Sequence, residues 1–267
     1  MSAKIISFIN SKGGVAKTTS AVNIATQLRI KRKRVLLVDL DPQGDASYML
    51  GLDAESVSEA HIGHALMKPD IFKNTIYNVE FIKKTGNKKS KRNIAVCPAH
   101  SELDDVVNHL MNQIARELRL QQCLEMVKDD YDYIILDCPP NLGVSSINAL
   151  VASHFYVLVV DSEPLAMKNI VPNSNAVSQV QASLNNQLQL LGVLFTKHDH
   201  KTGLHKQVAD SITEAFDNNV FKVRIPRNIE IAEAAGKPLC EHAPRSKGNI
   251  AYTAAAEELI KRVKKLA

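Results

Sequence analysis

A chain of 267 residues, 45% hydrophobic and 23% charged, has the composition of an α/β protein with a substantial core. Its 33 basic and 28 acidic residues leave a net charge of +5, which permits an anionic partner without demanding one. No apolar run approaches membrane-spanning length, no signal segment opens the chain, the four cysteines (Cys97, Cys123, Cys138, Cys240) form no C-x-x-C pair, and aromatics are only 5%; membrane-spanning, secreted, cysteine–metal and base-stacking classes are therefore set aside. Buried free thiols in a reducing cytoplasm are the expectation for the cysteines.

In chain order, the apolar run 4–9 "KIISFI" predicts a strand, and 17–31 an amphipathic helix. A strand follows at 34–39 "RVLLVD". Residues 55–75 carry no interpretable motif, and 75–97 read as a hairpin whose strands "TIYNVEFIKK" and "RNIAVCP" flank a charged, glycine-containing loop. That loop, "KKTGNKKSKR" at 83–92, holds six basic residues among ten. Strands at 131–137, 155–160, 188–195 and 220–225 then alternate with helices at 102–128, 143–152, 165–184, 203–218 and 249–266. Several strands are apolar at successive positions, as parallel strands covered on both faces must be. The alternation predicts a doubly wound, mostly parallel α/β sheet flanked by helices on both faces, the fold class of P-loop NTPases. With no repeat and no long linker, residues 1–267 are expected to form a single domain.

The first strand runs into "NSKGGVAKTTS", Asn10 to Ser20. This fails the pattern G-x-x-x-x-G-K-[ST], because Ser11 and Ala16 stand where the glycines belong. The context nevertheless suits phosphate: Gly13 and Gly14 let backbone N–H groups form a nest, and the following helix adds partial positive charge. Lys17 is expected to reach the β- and γ-phosphates and the Thr18 hydroxyl to ligate Mg²⁺. Ala16 fits if its φ is negative. Two later strands end in acid, giving Asp39 and Asp41 in "RVLLVDLDPQGD" and Asp137 in "YDYIILDCPPN". At the carboxyl ends of parallel strands all three fall near the phosphates. Asp137 is assigned to Mg²⁺ through water and Asp39 to a supporting role, a helix N-cap being the alternative for any single strand-end aspartate.

Lys12-Gly13-Gly14-Val15-Ala16-Lys17-Thr18 matches K-G-G-x-x-K-[ST], and the chain on this ground resembles the ParA/MinD group of ATPases, whose deviant phosphate loop leaves position 16 free. "DPQGD", "VVDSEPLAMKNI" and "KVRIPRNIEIAEAAGKPLCEHAPRSKGNIAY" extend the likeness over about residues 4–262, closest to short ParA/Soj-type partition ATPases. The resemblance implies a Mg²⁺-dependent ATPase. ATP is bound by residues 12–18, Thr19 and Asp137; Pro226 and Asn228 lie against adenine, with Arg227 near the nucleotide or the surface. Asp41 orients the attacking water, and Lys12 reaches across an ATP-bound homodimer to the partner's nucleotide. A phosphate loop starting at residue 12 leaves no room for a separate N-terminal helix-turn-helix domain.

The resemblance further implies a cytoplasmic, nucleoid-associated ATPase that binds nonspecific DNA and is stimulated by a ParB-like adaptor. Candidate DNA contacts are Lys201, Lys222, Arg224, Arg245 and Lys247. Glu230 departs from the group, whose closer members often carry arginine there, and the basic 83–92 segment is one compensation. A MinD-like membrane ATPase is the alternative, since Leu259, Ile260, Val263 and Leu266 form a helical stripe near a basic end; packing on the sheet is the expectation for that stripe. An iron–sulfur carrier lacks its cysteine pair, and a tyrosine kinase its tyrosine-rich tail, only Tyr252 lying near the C-terminus. His198, His200 and His205 are expected in a solvated loop.

Overall fold

The computed structural model describes residues 2–164, 166–199, 201–234 and 236–266. Seven strands form one sheet: β1 Lys4–Ile9, β2 Val35–Asp39, β3 Tyr77–Thr85, β4 Lys88–Cys97, β5 Tyr133–Asp137, β6 Phe155–Asp161 and β7 Gln189–Thr196. Their order is β3-β4-β2-β5-β1-β6-β7, parallel throughout except for the β3–β4 hairpin at one edge. The twelve α-helices described are α1 Lys17–Ile30, α2 Asp45–Tyr48, α3 Ala54–Val57, α4 Ile62–Met67, α5 Leu103–Leu110, α6 Arg119–Glu125, α7 Val144–Ala152, α8 Ala166–Ser183, α9 Gly203–Phe216, α10 Ile229–Glu233, α11 Leu239–His242 and α12 Lys247–Leu266.

The apolar runs are continuous because both faces of the sheet are covered. Along β2, Leu36 and Val38 enter one buried cluster while Val35 and Leu37 enter the other. Ile134 and Leu136 against Tyr133 and Ile135 divide β5 the same way. Helices α1 and α12 cover one face, and α4 to α9 supply the other. Because β1 lies between β5 and β6, the loop leaving β1 opens where neighbouring crossovers diverge, the place for a ligand crevice in such a sheet.

Three expectations change. Residues 220–225 form no continuous strand: isolated bridges join Val220 to Val193 and Pro226 to His198, and the Phe221 and Ile225 amides donate to the Val193 and Phe195 carbonyls of β7. The reason is competition from side chains, since the Glu258 carboxylate accepts the Lys222 and Val223 amides and Arg262 donates to the Val220 carbonyl. The helix at 102–128 breaks after Leu110, where Ala115 takes a left-handed φ of 55°, and resumes as α6. The basic 83–92 segment is ladder rather than loop, paired as far as Thr85 and Lys88, so Gly86 and Asn87 alone make the turn.

The C-terminal stripe packs as expected. Leu259 and Val263 are buried and Ile260 packs against the same cluster, leaving Leu266 exposed. No helix among the described residues is long and apolar enough to cross a membrane.

Candidate active site

β1 delivers the phosphate loop and α1 closes it. Gly14 has a φ of +73°, a conformation that glycine adopts without strain, and Gly13 and Gly14 are exposed. Ala16 contradicts the expectation of a negative φ: it sits at φ 63°, ψ 36°, capping α1 in the left-handed region. A methyl group there costs about 1–2 kcal/mol relative to ordinary backbone. The loop holds that shape because it is pinned from three sides. Asn10 Nδ2 donates to the Val159 carbonyl and Asn10 Oδ1 accepts the Lys12 amide. Asn173 of α8 accepts the Ser11 amide at 3.0 Å and donates to Asn10 Oδ1. Thr196 Oγ1, at the end of β7, donates to the Val15 carbonyl at 2.8 Å.

Lys17 begins α1 and is only 5% exposed, its Nζ donating to the Lys12 carbonyl at 3.2 Å. Burial lowers its pKa, and the charge of Asp137 opposes that shift. The three acids gather beside it. Register pairs Asp39 with Asp137 across β2 and β5, and pairs Asp137 with Phe8, just below the loop. Asp39 accepts from the Ser47 amide, the Ser47 hydroxyl and the Asp41 amide, so its carboxylate shapes the turn that carries Asp41. Asp41 in turn accepts the Gln43 amide. Burial pushes Asp39 up to about 6, against those hydrogen bonds. It pushes Asp137 well above the carboxylate range, with the Asp39 charge adding to it and Thr18 and Lys17 opposing.

Both carboxylate oxygens of Asp137 are fully buried, and beyond the nearby Thr18 hydroxyl no side chain satisfies them. Native cores rarely leave a carboxylate so poorly satisfied, and a hydrated divalent cation is what this carboxylate, with the Thr18 hydroxyl beside it, is suited to receive. A test follows from linkage. The folded-state pKa of Asp137 lies above its unfolded value, so the native state holds a proton that the unfolded chain releases, and ligand-free stability falls as pH rises from about 4 toward the raised pKa. Asp137→Asn should therefore raise the ligand-free melting temperature near pH 7.5 by a few degrees, roughly 1–2 kcal/mol, while weakening Mg²⁺-dependent nucleotide binding. Thermal unfolding with and without MgATP reads both; an unchanged or lowered ligand-free midpoint would contradict the argument.

Lys12 is held within its own chain, its Nζ 2.5 Å from Asp161, the last residue of β6, and 3.0 Å from Glu163 just beyond it. Burial draws its pKa down, but the two carboxylates outweigh that and leave it raised. Sequence reading missed both acids, as it missed Asn10, Asn173 and Thr196; Asp161 ends a strand exactly as Asp39 and Asp137 do, and that was the available signal. Val15 is buried, and Thr18 and Thr19 are half-buried. Half-buried Pro226 and Asn228 follow the 220–225 segment along β7, and Asn228 Oδ1 is buried without a partner, an amide oxygen free for a base edge. Arg227 is exposed, its amide donating to the His198 carbonyl.

The five candidate DNA contacts do not form one patch. Lys201, Lys222 and Arg224 lie on or beside the chain following β7, and Arg224 is engaged with His198 Nε2 at 3.3 Å and stacked over Phe195. Arg245 reaches the β3–β4 turn at Gly86, on the opposite edge of the sheet, and Lys247 opens α12 close by in sequence. Glu230 is half-buried in the first turn of α10. His198 is buried against the Ser162 hydroxyl rather than solvated, with the His205 ring 6.4 Å away; His200 lies outside the described residues.

A mostly parallel sheet, a phosphate loop after its central strand and acids on the adjoining strand ends define a P-loop ATPase. Comparison with known proteins agrees. A family described as "AAA domain" matches residues 3–190. The chain is 41% identical over 258 residues to the sporulation initiation inhibitor protein Soj of Bacillus subtilis, covering 96% of this chain and 98% of that protein. It is 34% identical to the chromosome partitioning protein ParA of Myxococcus xanthus, covering 97% and 88%. Among solved structures, cobyrinic acid a,c-diamide synthase from Mycobacterium smegmatis with bound ADP and magnesium superposes with a TM-score of 0.82 at 30% identity, covering 98% and 96%. The chain belongs to the ParA/Soj family of partition ATPases.

Proposed function

We propose that residues 1–267 act as one Mg²⁺-dependent ATPase unit that closes into an ATP-bound homodimer, is carried on nonspecific DNA, and is stimulated by a cargo-bound ParB-like adaptor. The observation that carries the site is the fully buried, poorly satisfied Asp137 carboxylate facing the Lys17 and Thr18 end of the loop. Thr18 and, through water, Asp137 are the residues that would hold Mg²⁺, which would supply charge neutralisation on the phosphates. Loop amides at residues 13–18 cradle phosphate, with Thr19 beside them. Lys17 neutralises the developing charge, and Asp41 orients the attacking water. Asn228 and Pro226 hold the base.

Lys12 completes the partner's site, which requires it to leave Asp161 and Glu163. Lys12→Ala should accordingly leave ATP affinity of the monomer within about threefold while reducing ATP-dependent dimer at least tenfold. Analytical ultracentrifugation with ATP against ADP measures this, and undiminished dimerisation would remove Lys12 from the interface.

One named relative, from Myxococcus xanthus, is a chromosome partitioning protein, and the C-terminal stripe is spent on the core, which together favour DNA over a lipid surface. Nonspecific duplex DNA should bind an Asp41→Ala protein with ATP and not with ADP, over a steep salt dependence. Exposed Lys201, Lys222, Arg245 and Lys247 and the β3–β4 lysines are the contacts; Arg224 must first exchange its present partners. Neutralising two hairpin lysines that touch phosphate should flatten the log–log salt slope by roughly two. A dimeric protein that binds no DNA would overturn the carrier assignment and turn attention to anionic vesicles. A cytoplasmic, nucleoid-associated location follows from this reading.

A further inference from the structure

We propose that His61, His64 and Glu102 form a binding site for a divalent transition metal of the zinc class, separate from the nucleotide crevice. His61 occupies the position just before α4 and is fully buried; His64, three residues on, brings its ring to 4.0 Å between centroids. Glu102 comes from the turn between β4 and α5. Its Oε2 lies 3.4 Å from His61 Nε2 and 3.8 Å from His64 Nε2, and one ligand atom from each residue falls within 4.8 Å of the others. His100 walls the same space, 5.1 Å from His61 between ring centroids, with its Nδ1 accepting the Glu102 amide.

Two independent observations mark this as a seat rather than a chance cluster. His61 Nε2 is buried, makes no hydrogen bond of normal geometry, and has the Glu102 carboxylate 3.4 Å away. Gly63 makes room for that ring: a Cβ there would stand 2.8 Å from His61 Cε1 and 2.9 Å from Nδ1.

Two imidazoles and one carboxylate suit Zn²⁺, Co²⁺, Ni²⁺ or Cu²⁺ better than Mg²⁺, which prefers an all-oxygen shell. Three protein ligands leave a position for water. The Gly63 amide now donates to His61 Nδ1 at 3.1 Å, which places the ring proton on Nε2. Metal at Nε2 moves that proton to Nδ1 and releases the Gly63 amide, so binding forfeits one hydrogen bond. The bound ion would brace α4 against the β4–α5 turn. The Ile62 amide of α4 already donates to the Pro98 carbonyl of that turn, and the turn is joined to the Asp39–Asp41 segment because the Ala99 amide donates to Ser47 Oγ, which donates to Asp39.

The test is Co²⁺ titration of the nucleotide-free, tag-free protein in millimolar Mg²⁺. Visible d–d absorption of a four- or five-coordinate complex is expected at one ion per protomer, lost on adding Zn²⁺, and Zn²⁺ should raise the unfolding midpoint. His64→Gln and Glu102→Gln, both at partly exposed positions, should abolish the spectrum and the Zn²⁺-induced shift while leaving MgATP binding unchanged. Absence of the absorption in the parent protein, or its survival in His64→Gln, would overturn the site.

Discussion

Lys17→Ala is expected to abolish measurable ATP binding. The ammonium is buried at the first turn of α1, fixed by the Lys12 carbonyl, and faces Asp137. A cation so desolvated meets a triphosphate at low effective dielectric, where one charge-assisted contact is strong. Removing it also leaves Asp39, Asp41 and Asp137 to repel the phosphates with no cation among them. Losing one member of a buried charged contact costs about 2–5 kcal/mol, so affinity should fall on the order of 10²–10³-fold. Isothermal titration with a nonhydrolysable ATP analogue measures this, and circular dichroism establishes that the variant is folded; Lys17→Met preserves volume where alanine unsettles α1. A folded variant that keeps parental affinity would remove Lys17 from the phosphate site.

Asp41→Ala should uncouple binding from turnover. Its side chain is half-buried beside the crevice, and burial raises its pKa against the Gln43 hydrogen bond, which makes it a better acceptor for a water proton. The anchoring of this turn runs through the Asp41 backbone amide to Asp39, and alanine keeps that amide. Phosphate release should thus fall about 10²–10⁴-fold while ATP affinity and ATP-dependent dimers persist. Steady-state phosphate assays beside light scattering give both readouts. If the variant no longer dimerises with ATP, the role assigned to Asp41 is wrong; if turnover falls less than tenfold, another group positions the water.

The order of strands and helices was legible because each central strand is an unbroken apolar run with a polar stop. The same rule located Asp39 and Asp137, each the last residue of its strand and direct partners across β2 and β5. Where the rule failed, side chains distant in sequence intervened. The apolar 220–225 run pairs with β7 only in part because Glu258 takes its Lys222 and Val223 amides and Arg262 its Val220 carbonyl. The left-handed backbone of Ala16 is imposed by neighbours such as Asn173 and Thr196, which nothing local in "GGVAKT" announces. Lys12 pairs with acids about 150 residues away, and the His61, His64 and Glu102 cluster joins segments separated by the whole β3–β4 hairpin. Such groupings are products of topology, and apart from the strand-end position of Asp161 the linear pattern carries no trace of them.

The clasp of Asn173 on Asn10 and Ser11 joins a loop built for ligand to the middle of an 18-residue helix with a largely solvent-facing outer side. Three hydrogen bonds hold the two together. Any ligand that reshapes the loop is therefore expected to change the environment of α8, and a load on α8 to change ligand affinity by the same factor, since coupling between binding events is reciprocal. A reporter on the outer surface of α8 would read this.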